Sequence, residues 1–99
     1  MTAPSSDRAG VIQTFRALIA AGWTEPSVWD GEESTAVTTE GQAVEIVMSV
    51  DQAHLHVKKD GETGWVFFVL GNDPDEVIND HTINLSDVLD PLTEGWRPY

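Results

Sequence analysis

The stretch from Gln52 to Leu70 limits the fold more than any other part of the chain. Gln52 to Lys58 alternates, with Leu55 and Val57 on one side and His54, His56 and Lys58 on the other. That is the two-residue period of a half-buried strand. Lys59-Asp60-Gly61 is a hairpin signal, because tight two-residue turns require positive φ, which Asp and Gly tolerate. Trp65 to Leu70 is a continuous apolar run, the pattern of a strand buried on both faces. It predicts the central strand of a sheet, with Trp65 in the core. A sheet with one apolar side needs a second layer to cover it.

That layer is predicted at the N-terminus. Ser6 can cap a helix and Asp7 suits its first turn. Val11, Ile12, Phe15, Leu18 and Ile19 then lie on one arc, and Gly22 suits a left-handed cap, so a helix is expected from Asp7 to Ala21. Glu25-Pro26 reads as a break before a short strand, Ser27 to Trp29. Asp30 to Glu33 reads as a loop, and Thr35 to Thr39 is rich in β-branched residues. Glu40-Gly41-Gln42 reads as a turn, and Ala43 to Val50 as a strand with Val44, Ile46, Met48 and Val50 on one face. Gly71 to Pro74 punctuates the chain. Asp73 caps a short helical turn through Ile78, with Pro74 at its first position. His81 to Asn84 reads as extended. Ser86 caps a short helix, Asp87 to Asp90, ended by Pro91, and Gly95 to Tyr99 reads as a tail. The expected fold is a single α+β domain: an N-terminal helix on a meander of three or four antiparallel strands, with short helical turns near the C-terminus.

Function is bounded mainly by charge. Seventeen Asp and Glu face five Lys and Arg, a formal net charge of -12 on 99 residues. No base stands between Arg16 and Lys58, or between Lys59 and Arg97. Such a chain attracts basic protein surfaces and repels phosphate backbones and anionic membranes. Four Trp and a 40% hydrophobic content mark a chain that builds a core rather than a disordered one. The absence of Cys excludes disulfides and thiolate chemistry and fits a cytoplasmic protein. No stretch has the roughly 18 apolar residues of a membrane span.

Candidate binding residues fall in three acidic turns: Asp30, Glu32 and Glu33; Asp60 and Glu62; and Asp73, Asp75 and Glu76 with Asp80 behind them. Each also serves turn formation. Trp29 and Trp96 are candidate partner-facing anchors, with Arg97 and Tyr99 adding to such a contact, while Trp23 closes one end of the core. His54-x-His56 places two imidazoles on one side of a strand, where His81 or Asp51 would complete a metal set. The plainer reading is two histidines on a solvated sheet face, and no metal or cofactor is expected. The Gly71 to Glu76 segment lacks the order of a calcium loop. No phosphate-cradling glycine loop, nucleophile elbow or zinc-protease motif is present, so no catalytic residue is assigned.

In size, lack of Cys, scarcity of Lys and Arg, and α+β pattern, the chain resembles the small acidic accessory proteins of phages and plasmids. These include anti-CRISPR and anti-restriction inhibitors and other DNA mimics. The resemblance implies a non-enzymatic module that occupies a basic, nucleic-acid-binding groove of a partner protein. It rests on no motif and assigns no residues. The alternatives are an ordinary small cytosolic domain, monomeric or homodimeric, whose acidity is generic or halophilic, and a metal site at His54 and His56.

Overall fold

The computed structural model describes residues 7–70 and 77–96. The elements are α1 (Asp7–Ala20), β1 (Thr24–Trp29), β2 (Ser34–Ala36), α2 (Glu40–Val50), β3 (Gln52–Lys59), β4 (Glu62–Val69), β5 (Ile78–His81), a 3-10 turn (Ile83–Leu85) and α3 (Ser86–Trp96). The five strands form one antiparallel sheet in the order β2-β1-β3-β4-β5. The α+β class and the N-terminal helix are as expected. The sheet is wider than three or four strands, and its middle strand is β3 rather than the Trp65 run. Among the described residues no helix is long and apolar enough to cross a membrane.

The hairpin of β3 and β4 is the frame. Asp60 and Gly61 both have positive φ (52° and 82°), the geometry that lets a two-residue turn follow the twist of its strands. The turn fixes the register: Lys59 faces Glu62, His56 faces Trp65 and His54 faces Phe67. Ala53, Leu55, Val57, Val66 and Phe68 consequently share one side and are buried. Val28 of β1 joins them, paired with Leu55.

The helices cover that side. Val11, Phe15 and Leu18 of α1, Ala43, Val44 and Val47 of α2, and Leu89 of α3 enter one core with the inward residues of the sheet. In α1, Ile12 packs at the edge of the core and Ile19 is 42% exposed, so the buried arc is narrower than its spacing predicts. Gly10 and Thr14 are buried instead, and the Thr14 hydroxyl donates to the Gly10 carbonyl at 2.8 Å. Gly22 ends the helix with φ 96°. The Lys59 ammonium donates to the Ala21 carbonyl at 2.8 Å, complementing the negative end of α1.

Four expectations of local structure are corrected. Ala43 to Val50 is helix, not strand. Thr39 and Gln42 form a reciprocal cap: Gln42 N–H donates to the Thr39 hydroxyl at 3.3 Å, and the Gln42 side-chain oxygen accepts from Thr39 N–H at 3.3 Å. The buried positions 43, 44 and 47 follow the helical period, while Met48 is 41% exposed. Glu25-Pro26 does not interrupt β1. The strand bulges between Thr24 and Ser27, with Glu25 at φ 51°, and Pro26 is tolerated where the ladder is already broken. His81 belongs to β5 and Ile78 opens it, and the chain then tightens into the 3-10 turn rather than running extended to Asn84. Finally, α3 continues through Pro91 to Trp96, taking in Gly95. Pro91 lacks the N–H that would reach Asp87, but Leu85, Leu89 and Leu92, spaced at helical intervals, hold the chain on the core across that gap.

Candidate functional site: the open face of the sheet

All the core-forming helical residues lie on one side of the sheet, and among the described residues none covers its other face. Register assembles that face in rows. One row runs across all five strands: Ser34, Trp29, His54, Phe67 and Asp80. The next holds Ala36, Ser27, His56 and Trp65, and a third holds Lys58 and Thr63. Ser27, Trp29, Ser34, His54, His56, Lys58, Thr63 and Trp65 line a shallow concavity of about 620 Å³.

Its centre is aromatic. The His54 ring stacks on Phe67 at 4.5 Å with 13° between the planes, and meets the Trp65 ring edge-on at 5.3 Å. His56 lies 6.1 Å from His54. Partial burial and then the neighbouring His54 hold the His56 imidazole below the usual histidine range, which favours its neutral form. Trp65 therefore belongs to the open face and not to the core, a correction that follows from its register with His56. Trp29 is 37% exposed on the same face, while Trp23 is buried at the end of α1.

The acidic turns do not converge. Asp30, Glu32 and Glu33 connect β1 to β2, beyond Trp29. Asp60 and Glu62 belong to the β3–β4 turn at the other end. From the His54 row to Lys59 is five residues, about 17 Å at the strand rise. The two turns therefore stand at opposite ends of the sheet, and Glu62, paired with Lys59, is on the helical side, which leaves Asp60 to rim the far end of the open face. Asp80 stands on that face at the β5 edge, opposite Phe67. Asp73, Asp75 and Glu76 lie outside the described residues, as does the turn expected to start there. Trp96 is the last residue of α3, and Arg97 and Tyr99 are beyond the described residues.

Asp30 is committed to its own loop. Its carboxylate accepts from the backbone N–H groups of Glu32 and Glu33, each at 2.9 Å. Those two bonds, the Glu33 one first, hold its carboxyl below the usual carboxylate range. Glu32 and Glu33 are exposed beside it. Elsewhere, Glu40 is paired with Arg16 through two bonds of 2.6 and 2.7 Å that join α1 to α2, which lowers the Glu40 carboxyl and raises the Arg16 guanidinium.

A metal set is not assembled. His81 turns to the helical side, where its Nε2 lies 3.8 Å from Asp90 of α3 and its Nδ1 donates to the Thr82 carbonyl at 2.8 Å. It is thus separated by the sheet from His54 and His56. Among the described residues no three His, Asp or Glu side chains are grouped to hold an ion.

Sequence reading assigned no functional role to Trp65, Phe67 or Lys58. The signal was available. A two-residue Asp60-Gly61 turn sets Trp65 and Phe67 opposite His56 and His54, and hence on the histidine face. Comparison of the chain with protein-family models, curated proteins and solved structures found no match.

Proposed function

We propose that this chain is a non-enzymatic acidic binding module that seats a basic protein surface on the open face of its sheet. The observation that supports this most is the uncovered aromatic face itself, with carboxylates at both ends and along the β5 edge. Aromatic area excluded from water supplies holding energy at interface centres, and charged rims govern partner choice and association rate. A net charge of -12 selects for a basic partner and against nucleic acid or an anionic membrane. A partner that itself binds nucleic acid is the reading's most specific form, in which the acidic module competes for a basic groove. Because the described acids rim the face rather than align along one track, this competition works by blocking the groove, with no need to copy a duplex.

The test is affinity capture from host lysate at about 50 mM salt, where exposed charges are weakly screened. Three baits are compared: wild type, Ser27→Arg on the open face, and Glu45→Lys on the helical side. The expected result is one basic protein retained by wild type and Glu45→Lys, lost by Ser27→Arg, and unable to hold its nucleic acid while bound. Retention by Ser27→Arg with loss by Glu45→Lys overturns the assignment of the face. A dimer of this chain that Ser27→Arg dissociates overturns it as well, because the face would then be filled by a second copy.

A further inference from the structure

The order of residues in the row across the strands gives the partner's chemistry more narrowly. Strands lie about 4.8 Å apart, and the His54 and Phe67 rings, on neighbouring strands, stack 4.5 Å apart and nearly parallel. The stack therefore runs across the sheet, with both rings standing on edge. The side of Phe67 turned away from His54 looks toward β5, and the residue paired with Phe67 there is Asp80. Asp80 is exposed, and its Oδ1 accepts from the His81 N–H at 2.9 Å, which steadies the carboxylate. The next place in the stack thus lies over β5, against the free face of Phe67 and above the anchored Asp80 carboxylate.

We infer that this place is an arginine subsite: a guanidinium from the partner continues the His54–Phe67 stack and pairs with the Asp80 carboxylate. The inference rests on the proposed basic partner and deepens it. Guanidinium is flat, weakly hydrated and carries several donors, so it can stack on a ring and bond a carboxylate together. An ammonium is compact and strongly hydrated, and gains only the point-charge part of the interaction. At the other end of the row, Trp29 offers a second ring about three strand spacings, roughly 14 Å, from Asp80. An extended basic segment crossing the strands would span that distance.

The test uses two capped peptides of equal length and charge, alternating Arg-Ser and Lys-Ser, titrated calorimetrically at about 50 mM salt. Wild type is expected to bind the arginine peptide about five- to tenfold more tightly than the lysine peptide. Asp80→Asn and, separately, Phe67→Leu should each reduce that preference below about twofold, while Glu45→Gln leaves it unchanged. Circular dichroism of each variant reports whether it is folded. Equal binding of both peptides overturns the subsite and leaves the wider basic-surface reading standing. Failure of both to bind at millimolar concentration overturns the subsite, and the lysate capture then decides the wider reading. Tighter binding of an oligothymidylate to the same face overturns both.

Discussion

Gly64 is the position where one methyl group tests how the C-terminal part of the chain docks. It lies on the buried side of β4, between the outward-facing Thr63 and Trp65. A Cβ built there meets Leu85 Cδ2 at 2.8 Å, Leu85 Cγ at 3.0 Å and Asn84 Oδ1 at 3.1 Å. Ordinary carbon contacts fall at about 3.5–4.0 Å, so the Leu85 side chain must retreat by nearly an ångström. It has little room, since Leu85 is fully buried. Asn84 is also held: its amide donates to the Thr63 carbonyl at 3.1 Å, and its oxygen accepts from the Thr82 hydroxyl at 2.6 Å.

Overpacking of this kind costs about 1–3 kcal/mol. Replacing Gly in a strand returns roughly 0.5–1 kcal/mol, because the unfolded chain loses freedom. Gly64→Ala is therefore expected to destabilise by about 1–2 kcal/mol net, which for a domain near 100 residues lowers Tm by about 5–15 °C. Urea and thermal unfolding followed by circular dichroism measure it. Leu85→Ala alone should cost about 2–5 kcal/mol through the cavity it leaves. If the clash is the cause, the double variant must be more stable than the sum of the singles, by about 1–2 kcal/mol. A neutral or stabilising Gly64→Ala, or strict additivity with Leu85→Ala, would refute the docking geometry of the 3-10 turn on β4.

Thr39→Ala removes the hydroxyl half of the α2 cap and should cost about 1 kcal/mol in urea unfolding; a Thr39→Ala/Gln42→Ala double variant should lose less than the two singles combined, because the cap is reciprocal. Lys59→Met breaks the bond to the Ala21 carbonyl and removes the ammonium lying 6.0 Å from the Trp23 ring centre, for an expected loss of about 1 kcal/mol and a changed near-ultraviolet Trp signal. The folded carboxyls of Asp30 and Glu40 titrate below their unfolded values, so their contribution is present above the unfolded carboxylate range, about pH 4, and is lost as pH falls through the folded values. Asp30→Asn with Glu40→Gln should accordingly flatten the fall in Tm below pH 4, and an unchanged slope would rule out those contacts as its source. His56 is also depressed, so it contributes above about pH 6.5, and that contribution declines as pH falls below that value; His56→Gln should remove this part of the Tm profile.

The hairpin of β3 and β4 could be read from the sequence because its signals are local and agree: a clean alternation, a turn pair suited to positive φ, and an apolar run. The N-terminal helix was legible for the same reason. Ala43 to Val50 was misread because its apolar residues at 44, 46, 48 and 50 satisfy a two-residue period, while those at 43, 44 and 47 equally satisfy a helical one. In so short a run the period does not decide. The deciding signal was Thr39-x-x-Gln42, a cap that acts before the first apolar residue and is missed when only the apolar run is read. Pro91 misled in the opposite way. A proline removes one hydrogen bond, whereas Leu85, Leu89 and Leu92 set three apolar groups against the core, and burial outweighs the lost bond.

The open face was hidden by one further step of the same kind. A continuous apolar run such as Trp65 to Leu70 reads as buried on both sides, and in the middle of a sheet covered by helices on both faces it would be. Among the described residues, helices cover only one face. The helices α1, α2 and α3 all send apolar residues into the same core, and the five strands consume that supply on one side. Trp65 and Phe67 are then left facing outward, where they remain only partly buried by His54 and each other. The same count explains the basic residues. Arg16 holds α1 to α2 and Lys59 holds the end of α1, whereas Lys58, one position from Lys59 but on the opposite side of β3, is left on the open face. A lone lysine among rings, with carboxylates at both ends, makes the face nearly neutral at its centre and negative at its margins. A partner that fits it therefore needs a flat, weakly hydrated centre with positive charge at its borders. A uniformly basic surface meets the margins but not the rings, and for that reason the arginine-over-lysine comparison discriminates more sharply than any measurement of charge alone.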